Sequence, residues 1–321
     1  MEILKLLPVG KGYLWGGTKL KEVYDKKNDI TPLAETWECS VHPDGLSVVA
    51  FGKYENWTLL DVIKQHPEYL GSKVTNGELP ILVKFIDARD NLSIQVHPDD
   101  EYAQKYENQN GKTEMWYIID ADEGANIVYG FKHKVTPEIL KQAIENGKLD
   151  RHMNKVEVHK GETYYVPAGT IHGIGSGVLI AEIQENSNLT YRIYDYNRVD
   201  KNGNKRELHF NKAIQVMDMM PIERTLKKNK IINYHVGYSK ELLCRCKYFE
   251  TERVEITKDY LFTVTNTSFQ VLLCLEGKGR IVSTNAIFEE VIFDKGDTLF
   301  LPANIGTCSV YGRVTLLKIR C

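Results

Sequence analysis

The sequence lacks the features that are typical of disulfide-rich, nucleic-acid-binding and membrane-binding proteins. Its six cysteines contain no CxxC pair and no regular spacing, so we expect reduced thiols rather than disulfides or a cysteine metal site. The 41 basic and 43 acidic residues leave a net charge of −2, which provides no overall field to attract nucleic acid or an anionic membrane. We therefore expect neither as a partner.

Signals for export and for membrane insertion are also missing. The segment Met1 to Pro8 has an acidic second residue and only a short apolar run, which does not resemble a secretory signal. The longest stretch without a full charge, Thr163 to Ala181, contains a proline and several glycines, so it favours strands and a turn over a membrane span. These absences predict a cytoplasmic protein.

Helical periodicity is scarce, and short apolar runs dominate the chain. Convincing helical segments are few, and the best are Leu59–Gln65 and Pro137–Asn146, since each follows a threonine that can cap free backbone N–H groups. Gly, Pro, Asn and Asp separate the runs that favour strands, which are Ile81–Ile86, Met115–Ile119, Asn126–Phe131, Thr163–Val166 and Val178–Gln184. The chain is predicted to be mostly β with a few short helices.

Two segments of the chain repeat one pattern. Gly161 to Ala168 and Gly296 to Ala303 each have a turn glycine, an acidic residue, a β-rich run and then Pro-Ala. A strand that ends abruptly at proline suits the rim of a barrel. Because 321 residues also favour about two domains, we predict two β-barrels of one design. We place their boundary near Glu223–Asn233, which divides the chain into residues 1–225 and 226–321.

The two copies of the repeat differ in their chemistry. The first copy continues to His172, whereas the second continues from Asn304 to Thr307, and no histidine occurs after His235. The second barrel therefore cannot present an imidazole to a metal ion. We expect it to have a structural or interfacial role.

Residues of the types that bind metals cluster at predicted strand ends in the first barrel. Alternation places Gln95 and His97 on the same face of one strand, and the proline after His97 suits a strand end. Glu114 lies at the start of another strand, and His172 follows a tight turn after a third. Neighbouring strands of a barrel can bring these four side chains together despite their separation in sequence.

Two imidazoles, one carboxylate and one amide oxygen form a mixed set of nitrogen and oxygen ligands. This set suits Zn²⁺, and Fe²⁺, Mn²⁺ and Co²⁺ are also compatible with it. Taken singly, each histidine is better explained by a structural role, and Glu114 by a surface carboxylate. Their shared positions at strand ends favour one metal site, with one coordination position left open for water or substrate.

Several motifs in the same order resemble type I mannose-6-phosphate isomerase (phosphomannose isomerase), in its short bacterial form, a protein of two cupin (jelly-roll) barrels. The resemblance runs nearly end to end and rests on Trp15-Gly16-Gly17, Glu35-Thr36-Trp37, His42-Pro43, Ile94 to Asp99, Gly111 to Glu114, Val166 to His172 and Gln184 to Tyr196. Several ordered motifs are more specific than any one of them.

The resemblance implies an enzyme that interconverts mannose 6-phosphate and fructose 6-phosphate with one zinc ion per chain. The zinc ligands of the family correspond to Gln95, His97, Glu114 and His172, which are the residues singled out above. The resemblance also implies that Arg192 and Lys112 supply positive charge to the enediolate intermediate or to the phosphate. Glu114, His97 and a water on the metal all stay open as the group that moves the proton.

One residue departs from the family pattern. The family often has an aspartate four residues before the active-site arginine, where this chain has Asn188, and an asparagine cannot act as an acid or base. Two other functions stay open, namely a cupin oxygenase that uses Fe²⁺ and a non-catalytic sugar-binding cupin. The sequence does not determine an oligomeric state.

Overall fold

The structure, a computed structural model, describes residues 1–200, 202–222, 231–283 and 290–321. Thirteen described strands precede the gap at 223–230: β1 Leu4–Leu7, β2 Val9–Lys11, β3 Glu35–Cys39, β4 Val48–Val49, β5 Ile81–Ala88, β6 Ile94–Val96, β7 Glu114–Ala121, β8 Asn126–Phe131, β9 Met153–Glu157, β10 Thr163–Val166, β11 His172–Ile174, β12 Val178–Glu185 and β13 Tyr191–Tyr194. After that gap come β14 Ile232–His235, β15 Tyr238–Arg245, β16 Glu250–Ile256, β17 Asp259–Val264, β18 Gln270–Ser283, β19 Val291–Asp294, β20 Thr298–Leu301 and β21 Gly306–Arg320.

The helices are short: α1 Lys19–Glu22, α2 Leu59–Gln65, α3 Asp100–Glu107, α4 Pro137–Glu145 and α5 Phe210–Val216, with 3-10 turns at Pro67–Leu70 and Leu149–Arg151. Both predicted helices are confirmed, α4 ending one residue early. The hydroxyls of Thr58 and Thr136 accept hydrogen bonds from the backbone N–H groups three residues later, at 3.1 and 3.4 Å. No helix in the described ranges is long and apolar enough to cross a membrane.

The first barrel is built from two antiparallel sheets. One has the order β10-β7-β12-β5-β3-β2 and the other has the order β13-β6-β11-β8-β9. Trp116 and Ile180 from the first sheet share a buried core with Ile127 and Ile174 from the second. Inward apolar side chains alternate with residues on the opposite face, which is the pattern that closes a β-sandwich or barrel.

The second barrel is one ten-stranded sheet among the described residues. Its main path is β14-β15-β16-β21-β18-β20-β1-β4, with β17 paired to β21 and β19 paired to β18. The two longest strands, β18 and β21, pair with each other along most of their length and pass a bulge between Cys274 and Glu276. This irregularity bends the sheet so that it wraps around its own apolar core. The predicted class, mostly β with two cupin barrels and few helices, is confirmed.

The repeat seen in the sequence is also present in the backbone. Gly161 and Gly296 adopt φ values of 85° and 90°, a region that glycine enters without steric cost. Each glycine is followed by a four-residue strand, β10 or β20, that ends immediately before a proline. The two segments therefore form the same turn and strand in two different sheets.

The two barrels share strands and a core. The N-terminal strand β1 pairs with β20, with Leu4 opposite Phe300, and β4 pairs with β1. Residues 4–7 and 48–49 thus extend the sheet formed by the C-terminal part of the chain. The predicted boundary between residues 225 and 226 lies outside the described residues, and the division into 1–225 and 226–321 stays a proposal.

A buried ion pair joins the barrels at this seam. Lys26 Nζ lies 2.6 Å from Glu38 Oε1, and the Glu38 side chain is fully buried. Lys26 also donates to the Gly296 carbonyl at 2.6 Å, and Thr298 Oγ1 donates to Glu38 Oε2 at 3.0 Å. Because a buried carboxylate is costly without a partner, the pair depends on both members.

Replacing Lys26 with methionine should lower the free energy of unfolding by about 3–5 kcal/mol, since it leaves Glu38 as an uncompensated buried charge. Urea unfolding followed by tryptophan fluorescence measures the change. Lys27→Met is the matched control, because Lys27 is exposed and its ion pair is with the exposed Asp25. An equal decrease in the free energy of unfolding for the two substitutions would contradict a stabilising role of the Lys26–Glu38 pair.

Candidate metal centre

Strand register brings three of the predicted site residues into one row. On the five-stranded sheet, β6 lies between β11 and β13, and Gln95 is directly opposite His172 on one side and Arg192 on the other. His97 follows two residues later on the same face as Gln95. Glu114, the first residue of β7, comes from the facing sheet. The site therefore lies between the two sheets of the first barrel.

Three of the four predicted metal ligands form a compact cluster. His97 Nε2 lies 3.5 Å from Glu114 Oε2, and His172 Nε2 lies 3.5 Å from Glu114 Oε1. The candidate ligand atoms of the three residues all lie within 4.8 Å of one another, and all three side chains are buried. One divalent ion could contact all of them.

Hydrogen bonds fix the tautomer of both imidazoles. His97 Nδ1 donates to the Leu189 carbonyl and His172 Nδ1 donates to the Thr170 carbonyl, both at 2.8 Å. A carbonyl oxygen can only accept, so each Nδ1 must carry the proton in the neutral ring. The lone pair of each Nε2 then points to the cluster, as a metal ligand requires.

Several buried atoms at the centre of the cluster have no hydrogen-bond partner among the described residues. His97 Nε2 and both carboxylate oxygens of Glu114 belong to this group, although such atoms are normally satisfied in a protein interior. Burial, with a contribution from Glu182, raises the pKa of Glu114 to about 8, and burial lowers the pKa of His172 to about 4. A divalent cation would satisfy these atoms and compensate the carboxylate, so the donor set fits a metal.

Gln95 joins the cluster through its amide. Its Nε2 lies 3.3 Å from His172 Nε2, which accepts because Nδ1 of that ring holds the proton, and its Oε1 accepts from Ser93 Oγ at 3.2 Å. Only the amide oxygen could bind a metal ion. As oriented here, Gln95 donates to the nitrogen of His172 that would bind the ion, and its oxygen does not point to the cluster centre.

The two predicted catalytic cations lie beside the cluster. Lys112 is buried and its Nζ lies 3.3 Å from Glu114 Oε2, the oxygen that also faces His97. Arg192 donates from Nη1 to the Glu207 carbonyl at 3.0 Å, while its buried Nε has no hydrogen-bond partner in the described part of the chain. Both side chains line the same cleft as Gln95 and His172.

A buried triad of charges lines this cleft and was missed by the sequence analysis. Lys84 Nζ lies 3.7 Å from Glu35 Oε2 and 3.5 Å from Glu182 Oε2. Burial alone would raise the pKa of Glu182, but the charges of Lys112 and Lys84 hold this pKa below its usual value. The available signal was a charged residue in the middle of an apolar strand, since Lys84 interrupts Ile81–Ile86 and Glu182 interrupts Val178–Gln184.

The aromatic wall of the cleft supports the cluster. Trp116 donates from Nε1 to Glu182 Oε1 at 2.9 Å, and its ring meets the His172 imidazole edge-on with centroids 5.4 Å apart. Tyr13 and Trp15 stack with centroids 5.2 Å apart and line the cleft on another side. These rings restrict His172 and limit the access of water.

Two further residues at the cleft have no counterpart in the predicted site. Arg206 lines it, and no motif or periodicity in the sequence marks this residue. Asn188, the departure from the family pattern, also lines it and donates from Nδ2 to Asp44 Oδ2 at 2.8 Å. A carboxylate can only accept, so this contact fixes the amide with Nδ2 toward Asp44.

Profiles of known families match both ends of the chain. The catalytic domain of type I phosphomannose isomerase matches residues 3–129, and the cupin domain of mannose-6-phosphate isomerase matches residues 239–321. The first match includes Gln95, His97 and Glu114. The second covers a range that contains no histidine.

Whole-chain relatives agree with these matches. The chain is 37% identical to mannose-6-phosphate isomerase ManA of Bacillus subtilis, over 97% of this chain and 96% of that protein. It is 36% identical to the mannose-6-phosphate isomerase of Streptococcus mutans, over 95% of this chain and 93% of that protein. The crystal structure of the mannose 6-phosphate isomerase from Bacillus subtilis superposes with a TM-score of 0.92 at 33% identity, covering 99% of both chains.

Proposed function

Because the chain belongs to the type I phosphomannose isomerase family, we propose that it interconverts mannose 6-phosphate and fructose 6-phosphate with one zinc ion per chain. The observation that carries the proposal is the buried His97, Glu114 and His172 cluster beside Lys112, in which His97 Nε2 and the Glu114 carboxylate have no hydrogen-bond partner among the described residues. Relatives that match nearly the whole chain and are named for this activity support it further.

His97, Glu114 and His172 would hold the ion, with Gln95 as the fourth candidate. Imidazole nitrogen and carboxylate oxygen are ligands that zinc accepts in catalytic sites, where a position stays open for substrate. When bound, the ion supplies a Lewis acid that stabilises negative charge developing on a sugar oxygen. Trp116 and the Thr170 carbonyl hold the His172 ring in the required orientation.

The reaction requires stabilisation of an enediolate. In the open-chain sugar a proton moves from C2 to C1, and a proton on the C2 oxygen is transferred to the C1 oxygen. Negative charge develops on oxygen between these steps, and fixed positive charge in a site protected from water lowers its energy. Lys112 and Arg192 provide that charge from opposite sheets of the barrel.

The buried triad places a lysine between two carboxylates at the cleft. Lys84 compensates Glu35 and Glu182, and the Trp37 and Trp116 indoles donate to these carboxylates at 2.8 and 2.9 Å. Glu182 therefore presents an ionised carboxylate oxygen to the cleft. The fixed dipoles and charges do not have to reorganise when the reaction begins, which is the main source of electrostatic catalysis.

An assay of isomerisation tests the function. Purified protein with its metal, given mannose 6-phosphate, should form fructose 6-phosphate, detected by coupling to glucose-6-phosphate isomerase and an NADP-dependent dehydrogenase. Oxygen uptake, measured with an electrode in the same solution, should stay at background. Oxygen consumption without isomerisation would favour an Fe²⁺ oxygenase, and sugar binding with neither reaction would favour a non-catalytic cupin.

Replacing Asn188 with aspartate should lower kcat/KM about tenfold, because two carboxylates would then meet where Asn188 Nδ2 donates to Asp44. Steady-state kinetics with mannose 6-phosphate measures the change. The double variant Asp44→Asn/Asn188→Asp restores an amide–carboxylate pair with the donor on the other side, and it should recover most of the activity. A single variant faster than the parent would contradict this explanation of Asn188.

A further inference from the structure

Two arginines share one carboxylate at the mouth of the cleft. Arg206 donates from Nε to Asp195 Oδ2 at 2.8 Å and from Nη2 to Asp195 Oδ1 at 2.6 Å, a bidentate contact. Arg198 pairs with the same carboxylate, which is buried. The group therefore has two positive charges for one negative charge, and Asp195 holds the Arg206 guanidinium in a fixed orientation.

A third guanidinium adds to this excess. Burial and the nearby charge of Arg206 lower the pKa of Arg192, so the two guanidinium groups repel each other in a partly desolvated place. No carboxylate within ion-pair distance of Arg192 is found among the described residues. An anion placed between Arg192 and Arg206 would relieve the repulsion.

The other cations that line the cleft each have carboxylate partners of their own. Lys84 lies between Glu35 and Glu182, and Lys112 lies against Glu114. Arg206 differs from them because it shares its carboxylate partner, Asp195, with Arg198. In the described part of the chain, the unbalanced positive charge of the cleft is thus at Arg192 and Arg206.

The position of Arg206 suits the end of the substrate that does not react. A third of its side chain is exposed, whereas Lys112, beside the metal cluster, is 5% exposed, so Arg206 lies nearer the mouth. In a hexose 6-phosphate the reacting carbons are at one end of the chain and the phosphoryl group is at the other. Planar guanidinium groups bind phosphoryl oxygens with two parallel hydrogen bonds.

On the basis of the proposed function, we propose that Arg206, oriented by Asp195, binds the phosphoryl group of the substrate. Arg206 is then a binding residue, and Asp195 is a positioning residue that acts through it. Residues 1–200 provide the metal cluster and Arg192. The contact of Arg206 with the phosphoryl group comes from the next described segment, residues 202–222.

Arg206→Ala and Arg198→Ala form a matched pair of variants that tests the proposal. Each removes one guanidinium group from Asp195, but only Arg206 lines the cleft. The loss of hydrogen bonds to a charged group should raise the KM of Arg206→Ala for mannose 6-phosphate about 10–100-fold, with a smaller change in kcat. Arg198→Ala should keep KM close to that of the parent, and Arg206→Lys should recover part of the loss.

Inorganic phosphate gives a second readout that does not depend on turnover. Isothermal titration of the metal-loaded protein with phosphate should show binding that is weakened at least tenfold in Arg206→Ala and little changed in Arg198→Ala. If the parent binds phosphate in this way but does not isomerise the sugar, the proposed function fails while the anion subsite stands. Equal effects of the two variants on KM and on phosphate binding, or no effect of Arg206→Ala, would overturn the proposal.

A stability measurement separates binding from folding. Thermal unfolding identifies any variant that is not folded, and in that case Arg206→Gln replaces Arg206→Ala, because glutamine keeps one hydrogen-bond donor toward Asp195 but no charge. The same increase in KM is expected for Arg206→Gln, and an unchanged KM would overturn the proposal equally.

Discussion

Replacing Arg192 with alanine should lower kcat by about 10²–10³-fold while the protein keeps its metal ion. Arg192 lies directly opposite Gln95 in the strand register, and it is not one of the clustered ligands. Its removal takes away positive charge that the enediolate needs but leaves His97, Glu114 and His172 in place. Steady-state kinetics and elemental analysis of the same preparation measure both quantities.

Arg89→Ala is a suitable control for this substitution. Arg89 is exposed, pairs with the adjacent Asp90 and lies outside the cleft, so its loss should leave kcat near that of the parent. A near-normal kcat for Arg192→Ala would contradict its catalytic role. Loss of the metal together with activity would instead assign Arg192 to the integrity of the metal centre.

Replacing His172 with alanine should remove both the metal and the activity. Changing a residue that only orients a ligand weakens metal binding about 10–100-fold, so the loss of a ligand itself should exceed about 100-fold. The substitution also removes the contacts that Gln95 and Trp116 make with the ring. Metal content after gel filtration and the isomerase assay measure the result.

His152→Ala is the matched control, because His152 contacts only His133 among the imidazoles and lies on the surface of the same barrel. It should retain one metal equivalent and normal kcat. A full equivalent of metal in His172→Ala would contradict the proposed ligand set.

Short-range patterns predicted the fold class and the candidates for the metal site. Alternation places Gln95 and His97 on one face of a strand. The repeated glycine-to-proline segment predicts two barrels, and the structure confirms this fold class. The row from His172 through Gln95 to Arg192 depends on strand pairing between residues distant in sequence, such as the 77-residue separation of Gln95 and His172. Local patterns do not determine such register.

Other features depend on contacts that no local pattern encodes. Strand β1 joins the sheet of the second barrel, although it begins the chain. Asn188 contacts Asp44, which lies 144 residues earlier in the chain. The effect of having Asn188 in place of the aspartate of the family therefore could not be judged from the sequence alone. Arg206 lies in an irregular segment without periodicity, and its place at the cleft depends on the tertiary fold and on its pairing with Asp195.

The triad of Lys84, Glu35 and Glu182 could be predicted in part from local patterns. Lys84 and Glu182 interrupt apolar strands, and a charge in such a position is rarely buried without a partner. The sequence thus contained a signal that both residues face a polar site. Their pairing with each other and with Glu35 required the register of β3, β5 and β12.

Stepwise addition of zinc to protein freed of metal by a chelator tests the central claim most directly. Isomerisation of mannose 6-phosphate should be absent without metal, rise in proportion to added zinc and reach its maximum at one equivalent per chain. Full activity in protein shown by elemental analysis to be metal-free would contradict the account.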